Sequence, residues 1–488
     1  MTAAGRAGVA LGFLGIALLM VYPVKDPDLW WLLASGQYMV EHRTFLTTDP
    51  FSASSRGATW INHAWGFQLI LYTVYRAGGT TGLILLQVAF ALLTFGLLYR
   101  QVVREGGSRG WGLLVVGLGA LATRGFWEPR PQLVTYFLLA VFWIILRDYV
   151  QGRRDRLGWL IPLTVLWINL HAGFAIGLIL VGLTTLAEGL AALTRDPAAR
   201  GFGRPIRLAA IGLASGAAAL LNPFHLHAVL FPFQVLSERV AQAVIIEWAS
   251  PPFSHPQVRL IEGLLLLTLV LLLASPRRAG WPDVVVLVVA THLAVHATRN
   301  LPLFVLLLIP VLGRLLDETV TVATPALGAL GRLGRSRPVL AVGAVAVLAV
   351  AAGLTAPADL RRELTPRLGL APDMFPEGAV AFLAGAGREG GVFNDYFWGG
   401  YLIWRLYPAY PVWVDGRAAV HGPTRLLEYV EVDEVRPRWR ETLERTGMGL
   451  VLVRARSRLA SVLRASPEWE VLYHDHVAVV LGRRRATS

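Results

Sequence analysis

The chain has 488 residues, of which 55% are hydrophobic and only 16% charged, and its mean hydropathy is +0.53; a soluble domain carries about 25% charged residues. It has no cysteine, which excludes disulfides, thiolate metal sites and cysteine nucleophiles. The formal charge of +13 rests on arginine, Lys25 being the single lysine. No basic stretch is interleaved with aromatics on a soluble face, so no nucleic-acid partner is expected.

Apolar runs that could span a bilayer fall at 7–24, 81–99, 110–123, 131–147, 157–170, 172–193, 206–222, 258–274, 282–298, 301–316 and 338–355. Continuous runs of this kind predict helices and exclude a transmembrane β-barrel, whose strands alternate over about 10 residues. The expectation is an all-α polytopic membrane domain over 1–356 with about eleven transmembrane helices. The first run has signal-peptide length, but no small-residue cleavage pattern follows it, so it reads as a retained helix.

With the N-terminus in the cytoplasm, the inner loops collect Arg100, Arg104, Arg109, Arg147, Arg153, Arg154, Arg156, Arg195, Arg200, Arg204, Arg207, Arg277, Arg278, Arg314, Arg332, Arg335 and Arg337. Fewer basic residues fall in the longer outer loops, and this asymmetry places the segment after residue 356 outside. Two outer segments are long. Residues 25–80 contain Asp28–Arg43 and Trp60–Arg76, both patterned as interfacial amphipathic helices, and 223–257 form a second long loop. The stretch 323–337 reads as a cytoplasmic linker. From about 371 to 488 the pattern turns soluble, with helices at 376–386, 396–406, 424–446 and 457–465 alternating with strands at 391–393, 411–415, 449–453, 469–473 and 477–481. That alternation predicts a small extracytoplasmic α/β domain. No P-loop, dinucleotide fingerprint, HExxH or GxSxG motif occurs, so no nucleotide cofactor is expected.

The uncommon polar residues gather at the outer ends of the predicted helices: Asp26, Asp28, Asp49, Asn62, His63 and Trp65 in the first loop; Arg124, Glu128 and Arg130; Asn169 and His171; Asn222, His225, His227 and Glu247; Arg299 and Asn300. A proton or ion pathway would instead place charge at mid-membrane depth. Paired carboxylates near arginines at the interface suit a lipid-borne phosphate and an acceptor hydroxyl: arginine grips phosphate in two-point fashion, and a carboxylate can take the hydroxyl proton. That chemistry is glycosyl transfer from a lipid-linked sugar, with Asp26 and Asp28 as the catalytic carboxylates and Arg124, Arg130 and Arg299 as phosphate ligands. Each piece also has a plain structural reading. Asp26 and Asp28 could cap the helix beginning at Leu29, Arg124 and Arg130 could be snorkelling anchors, Asn169 and His171 could bond helix ends, and Glu247 could be an interface anchor. His225 and His227 alone do not make a zinc site. In the C-terminal domain, Asn394, Asp395, Asp415 and Arg417 follow strands, where α/β sheets gather ligands or simply turn.

The stretches Asp26-Pro27-Asp28-Leu29-Trp30-Trp31, Ala34-Ser35-Gly36, Thr48-Asp49-Pro50-Phe51-Ser52 and Trp60-Ile61-Asn62-His63-Ala64-Trp65 resemble a group of uncharacterised bacterial polytopic membrane proteins, itself similar to the GT-C superfamily of polyprenyl-phosphate-sugar-dependent glycosyltransferases. Further matches are Arg130-Pro131-Gln132, Trp167-Ile168-Asn169-Leu170-His171, Asn222-Pro223, Glu247-Trp248, Arg299-Asn300, Trp398-Gly399-Gly400-Tyr401 and Val414-Asp415-Gly416-Arg417. The resemblance implies a multi-pass protein of the bacterial cytoplasmic membrane, a polyprenyl-phosphate-linked donor, an extracytoplasmic acceptor, and a first-loop aspartate, Asp26 by position with Asp28 beside it, as base. A divalent metal, Mg or Mn, serves some branches of the superfamily, with Asp49 and Glu247 conceivable ligands here. Where the group carries His and Glu, this chain has Leu32 and Ala64. A glycolipid transporter or flippase, and an inactive scaffold of an envelope-assembly complex, are the alternative readings.

Overall fold

The computed structural model describes residues 3–194, 201–238, 240, 246–275, 280–327, 366–387 and 389–484. The expected span 338–355 lies outside the described residues, as does most of the linker 323–337. The chain forms two compact units: Met1–Tyr22 with Ile84–Val229 and Ile246–Leu368, and Pro23–Leu83 with Leu230–Ile245 and Gly369–Ser488.

Among the described residues, five helical segments are long and apolar enough to cross a membrane, Trp65–Arg104, Gln132–Val150, Phe174–Leu193, Pro256–Ala274 and Thr298–Thr319, and four shorter ones, Gly5–Leu19, Leu157–Ile168, Leu226–Ser237 and Trp281–His296, are apolar as well. The chain is a multi-pass membrane protein. The expected run 81–99 and the patterned stretch Trp60–Arg76 join into the single helix Trp65–Arg104, interrupted at Gly79, whose φ of 57° and ψ of −149° are non-helical. Only glycine adopts such a conformation without strain.

The first unit is built around helix Leu301–Leu327. Leu303 to Ile309 and Val311, Leu312 and Leu315 are buried on every side of it, the mark of a central helix, and helices Arg109–Thr123, Gln132–Val150, Pro256–Ala274 and Trp281–His296 pack against it. Close approach needs small residues in a bilayer, where apolar burial alone does not drive helices together: a Cβ on Gly119 would sit 2.7 Å from Ile309 Cδ1. Pro256–Ala274, by contrast, exposes Leu266, Leu269, Val270 and Leu273. At one end of this unit Arg147 is buried between two carboxylates. Its Nε donates to Glu105 Oε1 at 2.6 Å, its Nη2 to Glu105 Oε2, and its Nη1 to Asp283, which also takes Arg314 Nη2 at 2.8 Å. A cavity of about 190 Å³ beside them is lined by Trp143, Arg147, Thr184, Asp283 and Arg314.

The second unit carries a four-stranded sheet in the order β1-β2-β4-β3, from Val392–Asn394, Leu450–Arg454, Trp469–His474 and Ala478–Arg483. β1 and β2 are parallel, with Phe393 opposite Val451; β4 runs antiparallel to both β2 and β3. Phe393, Val451, Val453, Val479 and Leu481 form its core with Leu459, Leu463 and Trp469. The segment 411–415, expected as a strand, makes only single bridges, Val412 to Val392 and Val412 to Ser52. Pro411 has no N–H to give, and the N–H groups of Trp413 and Val414 reach the Asn394 side chain at 2.8 and 3.4 Å. The predicted helix 424–446 is two helices, Ala418–Asp433 and Trp439–Arg445.

Candidate functional site

Helix Asp28–His42 starts without a side-chain cap from Pro27. The residue before it fills that place: Asp26 Oδ1 accepts the Asp28 N–H at 2.7 Å, tying down a donor that a helix start otherwise leaves open. Asp28, half-buried, has its own Oδ1 fixed by the Trp31 indole N–H at 3.0 Å. Two glycines from the C-terminal segment, Gly400 and Gly416, press on this turn, and a third, Gly399, presses on the backbone of 414–415 beside Gly416. A Cβ on Gly400 would stand 2.7 Å from the Pro27 carbonyl and 3.2 Å from Trp31 N; one on Gly399 would meet Asp415 Cα at 2.7 Å; and one on Gly416 would overlap Asp28 Oδ1 and meet Trp31 Nε1 at 3.1 Å. The aromatic neighbours lock the same corner, with Trp30 edge-on to Tyr401 at 5.1 Å and to Phe375 at 5.4 Å. Asp26-Pro27-Asp28, Trp398-Gly399-Gly400-Tyr401 and Val414-Asp415-Gly416-Arg417, far apart in sequence, therefore make one constellation.

Arg417 holds the rest of the first loop to it. It is gripped in two-point fashion by Asp415, at 2.8 and 2.6 Å, and reaches Asp49 Oδ1 at 2.6 Å, with its guanidinium over Trp60 at 4.9 Å and Phe51 at 5.1 Å. Burial alone would raise the Asp415 carboxyl; the Arg417 guanidinium and His421 outweigh it and hold the group well below the usual carboxylate range. Burial works against the Arg417 cation too, and Asp415 and Asp49 more than offset it. Asp49 also accepts from Phe51 N at 3.0 Å, Ser52 N at 3.3 Å and Ser52 Oγ. His421 Nε2 stands 3.2 Å from Asp415 Oδ2, and its Nδ1 is 3.2 Å from Ser55 Oγ. Asn394 stitches β1 to Val414, and Asp395 accepts from Phe397 N at 2.9 Å and Arg454 Nε at 2.9 Å. All four C-terminal positions singled out from the sequence thus have structural bonds. Neither His421 nor the Ser54-Ser55 pair was singled out; only their proximity in the fold marks them.

Asn62 exchanges two hydrogen bonds with Gln68, at 2.8 and 2.7 Å. His63 stacks on Phe231 at 4.5 Å, and Trp65 lies edge-on to Phe45 at 5.0 Å.

In the helical unit, Arg130, Glu247 and Arg299 come together. Arg130 Nη1 reaches Glu247 Oε1 at 2.9 Å, Arg299 lies over Trp248 at 4.3 Å, and Thr298 N–H donates to the Ala249 carbonyl at 3.0 Å to join the two loops. Arg130 foremost, and Arg299, hold the Glu247 carboxyl below its usual range against the opposing effect of burial. Arg124 is engaged otherwise: Nε donates to the Leu19 carbonyl at 2.7 Å and the guanidinium covers Tyr22 at 4.7 Å. His171 Nδ1 accepts from Gly173 N at 3.2 Å and lies 2.6 Å from Thr135 Oγ1, which itself accepts from Trp167 Nε1 at 3.0 Å. The Thr135 hydroxyl must therefore donate to Nδ1, which leaves the ring proton on Nε2. Asn169 bonds the Val165 and Leu221 carbonyls, Asn222 closes its own turn onto Phe224 N and the His225 carbonyl, and Asn300 bonds the Leu293 carbonyl at 2.9 Å. These three amides serve helix ends.

Asp49 and Glu247, the conceivable metal ligands, spend oxygens on Arg417 and Arg130, and among the described residues no three His, Asp or Glu side chains stand together to hold a metal ion. The residues present do not fit such a site.

No protein-family model matches the chain, and no curated protein matches it. Its fold does match solved structures. The archaeal oligosaccharyltransferase AglB from Archaeoglobus fulgidus, in complex with an inhibitory peptide and a dolichol-phosphate, aligns over 92% of this chain and 69% of its own at a TM-score of 0.58 and 9% identity. ArnT from Cupriavidus metallidurans, bound to undecaprenyl phosphate, aligns over 99% of both chains at a TM-score of 0.54 and 14% identity. The arabinofuranosyltransferase AftD from Mycobacteria aligns over 99% of this chain, which spans 40% of that protein, at a TM-score of 0.56 and 15% identity. At these identities the likeness is one of fold.

Proposed function

We propose that this protein is a glycosyltransferase that moves a sugar from a polyprenyl-phosphate-linked donor to an acceptor hydroxyl, on the extracytoplasmic side of a bacterial cytoplasmic membrane, with inversion at the anomeric carbon. The observation that carries the reading is the end-to-end match to a solved structure holding undecaprenyl phosphate, 99% of both chains. The arginine asymmetry of the loops supports an N-terminus in the cytoplasm and the C-terminal domain outside.

In this reading a first-loop carboxylate takes the proton of the acceptor hydroxyl as its oxygen attacks the anomeric carbon. The bond from that carbon to the phosphate oxygen breaks, and polyprenyl phosphate leaves with the electron pair. The local geometry favours Asp28 over Asp26 as the base. Asp26 is buried and its Oδ1 caps the helix, whereas Asp28 is half-buried, with its carboxylate oriented by Trp31. Arg130 and Arg299, already gathered around one carboxylate, are the phosphate ligands, and Arg124, tied to Leu19 and Tyr22, is a structural anchor.

The test is transfer by the purified protein in nanodiscs, from a polyprenyl-phosphate sugar to an acceptor pool, read by mass spectrometry. Asp28→Asn is expected to abolish transfer while leaving donor binding intact, and Arg130→Ala with Arg299→Ala to weaken donor binding. Full transfer by Asp28→Asn would sink the base assignment. Movement of donor across the bilayer without transfer would replace the enzyme by a transporter, and neither activity would leave a scaffold.

A further inference from the structure

The residues around Asp28 do more than bury it. Gly416 leaves no room for a side chain beside the Asp28 carboxylate and the Trp31 indole, and it is flanked by two residues that are themselves immobilised. Asp415 and Arg417 are fully buried and bonded to each other at two points, and Arg417 extends the lock to Asp49. Behind them His421 closes on Asp415, and the Ser54 hydroxyl donates to the Trp413 carbonyl. The backbone follows the same course: Ala53 N–H donates to the Val412 carbonyl at 2.7 Å, and the Val24 N–H to the Gly369 carbonyl at 2.9 Å. The loop 46–60 and the start of helix Asp28–His42 are thus both clamped by one turn, 414–417.

We infer that the 414–417 turn is a positioning element for the transfer reaction, with Gly416 and Arg417 as positioning residues that set where the Asp28 carboxylate points; the inference rests on Asp28 being the base. Its physical content is specific. The Trp31 N–H donates to Asp28 Oδ1 at 3.0 Å, and Gly416 leaves the carboxylate oxygen its place on that donor because nothing bulkier fits beside it. A base displaced by about 1 Å loses roughly 100-fold in rate, so the C-terminal domain contributes to kcat through this turn and not through acceptor affinity.

The experiment measures kcat, KM for donor and acceptor, and the pH dependence of kcat for Gly416→Ala, Trp31→Phe, Arg417→Lys and Arg417→Met in nanodiscs, together with hydrogen exchange of peptides covering 26–31 and 46–60. The inference expects Gly416→Ala to lower kcat about 100-fold with both KM values within about twofold. It expects the ascending limb of the pH profile to move upward, because the carboxylate loses a donor. Trp31→Phe removes the same donor without overlapping anything, so it should move the limb in the same direction even if Gly416→Ala fails to fold. Arg417→Met should speed exchange in both peptides, and Arg417→Lys, which keeps the charge but not the two-point grip, should recover part of the protection and of kcat.

An unmoved limb in Trp31→Phe and Gly416→Ala, with Asp28→Asn inactive, overturns the inference and leaves the base intact. If Asp28→Asn turns over normally, the base reading itself has failed and the positioning role falls with it. A rise in acceptor KM at constant kcat in Gly416→Ala would also overturn it, since that is the signature of an acceptor-binding turn.

Discussion

Arg147 and Arg417 are both buried and both held between two carboxylates, yet they are built differently. The partners of Arg147 are Glu105, just past the end of helix Trp65–Arg104, and Asp283 on helix Trp281–His296. The cluster forms only when those helices have packed. Arg417 meets its main partner two residues away in the same turn, and only Asp49 must come from elsewhere. A guanidinium whose counter-charge arrives with its own turn is matched before the distant contact forms; one whose counter-charges come from separate helices is exposed to the full penalty of an unpaired buried ion until the last helix docks. The first arrangement orients a loop, the second holds a bundle together.

Breaking each arginine separates the two. Arg147→Met leaves Glu105 buried without its two-point guanidinium and Asp283 with Arg314 alone, and removing one partner of a buried pair costs about 3–5 kcal/mol; we expect the largest loss of thermal stability here, read as a drop in melting temperature in detergent. Arg417→Met should cost less, about 2–3 kcal/mol, because Asp415 keeps His421, and should act chiefly on loop 46–60. A reversed order would mean that the local turn is not self-sufficient.

Asp433 sharpens the contrast as a carboxylate in the same unit as Arg417 without a two-point arginine. Burial, and next Asp395, push it up to about 6 from an ordinary 3.8. A raised carboxyl favours the protonated form in the folded state, so its effect is absent below about pH 4, and stability falls as pH rises toward 6, by at most about 3 kcal/mol. Asp433→Asn should flatten that part of the pH–stability curve, measured by denaturant unfolding. Glu247→Gln is expected to matter least for folding, under about 1 kcal/mol, since the pair with Arg130 is partly exposed and such pairs contribute little.

Ten of the eleven expected helical runs meet described helices, and these, the C-terminal alternation of helices and strands and the acidic first loop were legible because each rests on local composition or spacing. Helix Asp28–His42 was legible down to one residue at its end. What could not be read was long-range pairing. Nothing near Arg147 or Arg314 distinguishes them from the other inner-loop arginines, and they were assigned to topology alone; their partners are defined only by helix packing. Arg417 and Asp49 were each noticed, but their bond spans a separation that no periodicity reports. Segment 411–415 has the composition of a strand, and only the Asn394 side chain, which shares the Trp413 N–H with the Val392 carbonyl and takes that of Val414, shows why it pairs at single points. Glycines 399, 400 and 416 stood out as motif letters, and their reason exists only in three dimensions: Gly400 and Gly416 press on Pro27, Asp28 and Trp31, and Gly399 on Val414 and Asp415.

Helix Leu301–Leu327, enclosed in its first half by neighbours made earlier, also fixes an order of assembly. Synthesis runs from the N-terminus, so helices Arg109–Thr123, Gln132–Val150, Pro256–Ala274 and Trp281–His296 enter the bilayer before the element that fills the space among them. Among the described residues, the docking of this helix is thus driven by fit against positions such as Gly119 and not by escape from water. A nascent chain halted before residue 301 would carry these four helices without the one that packs among them.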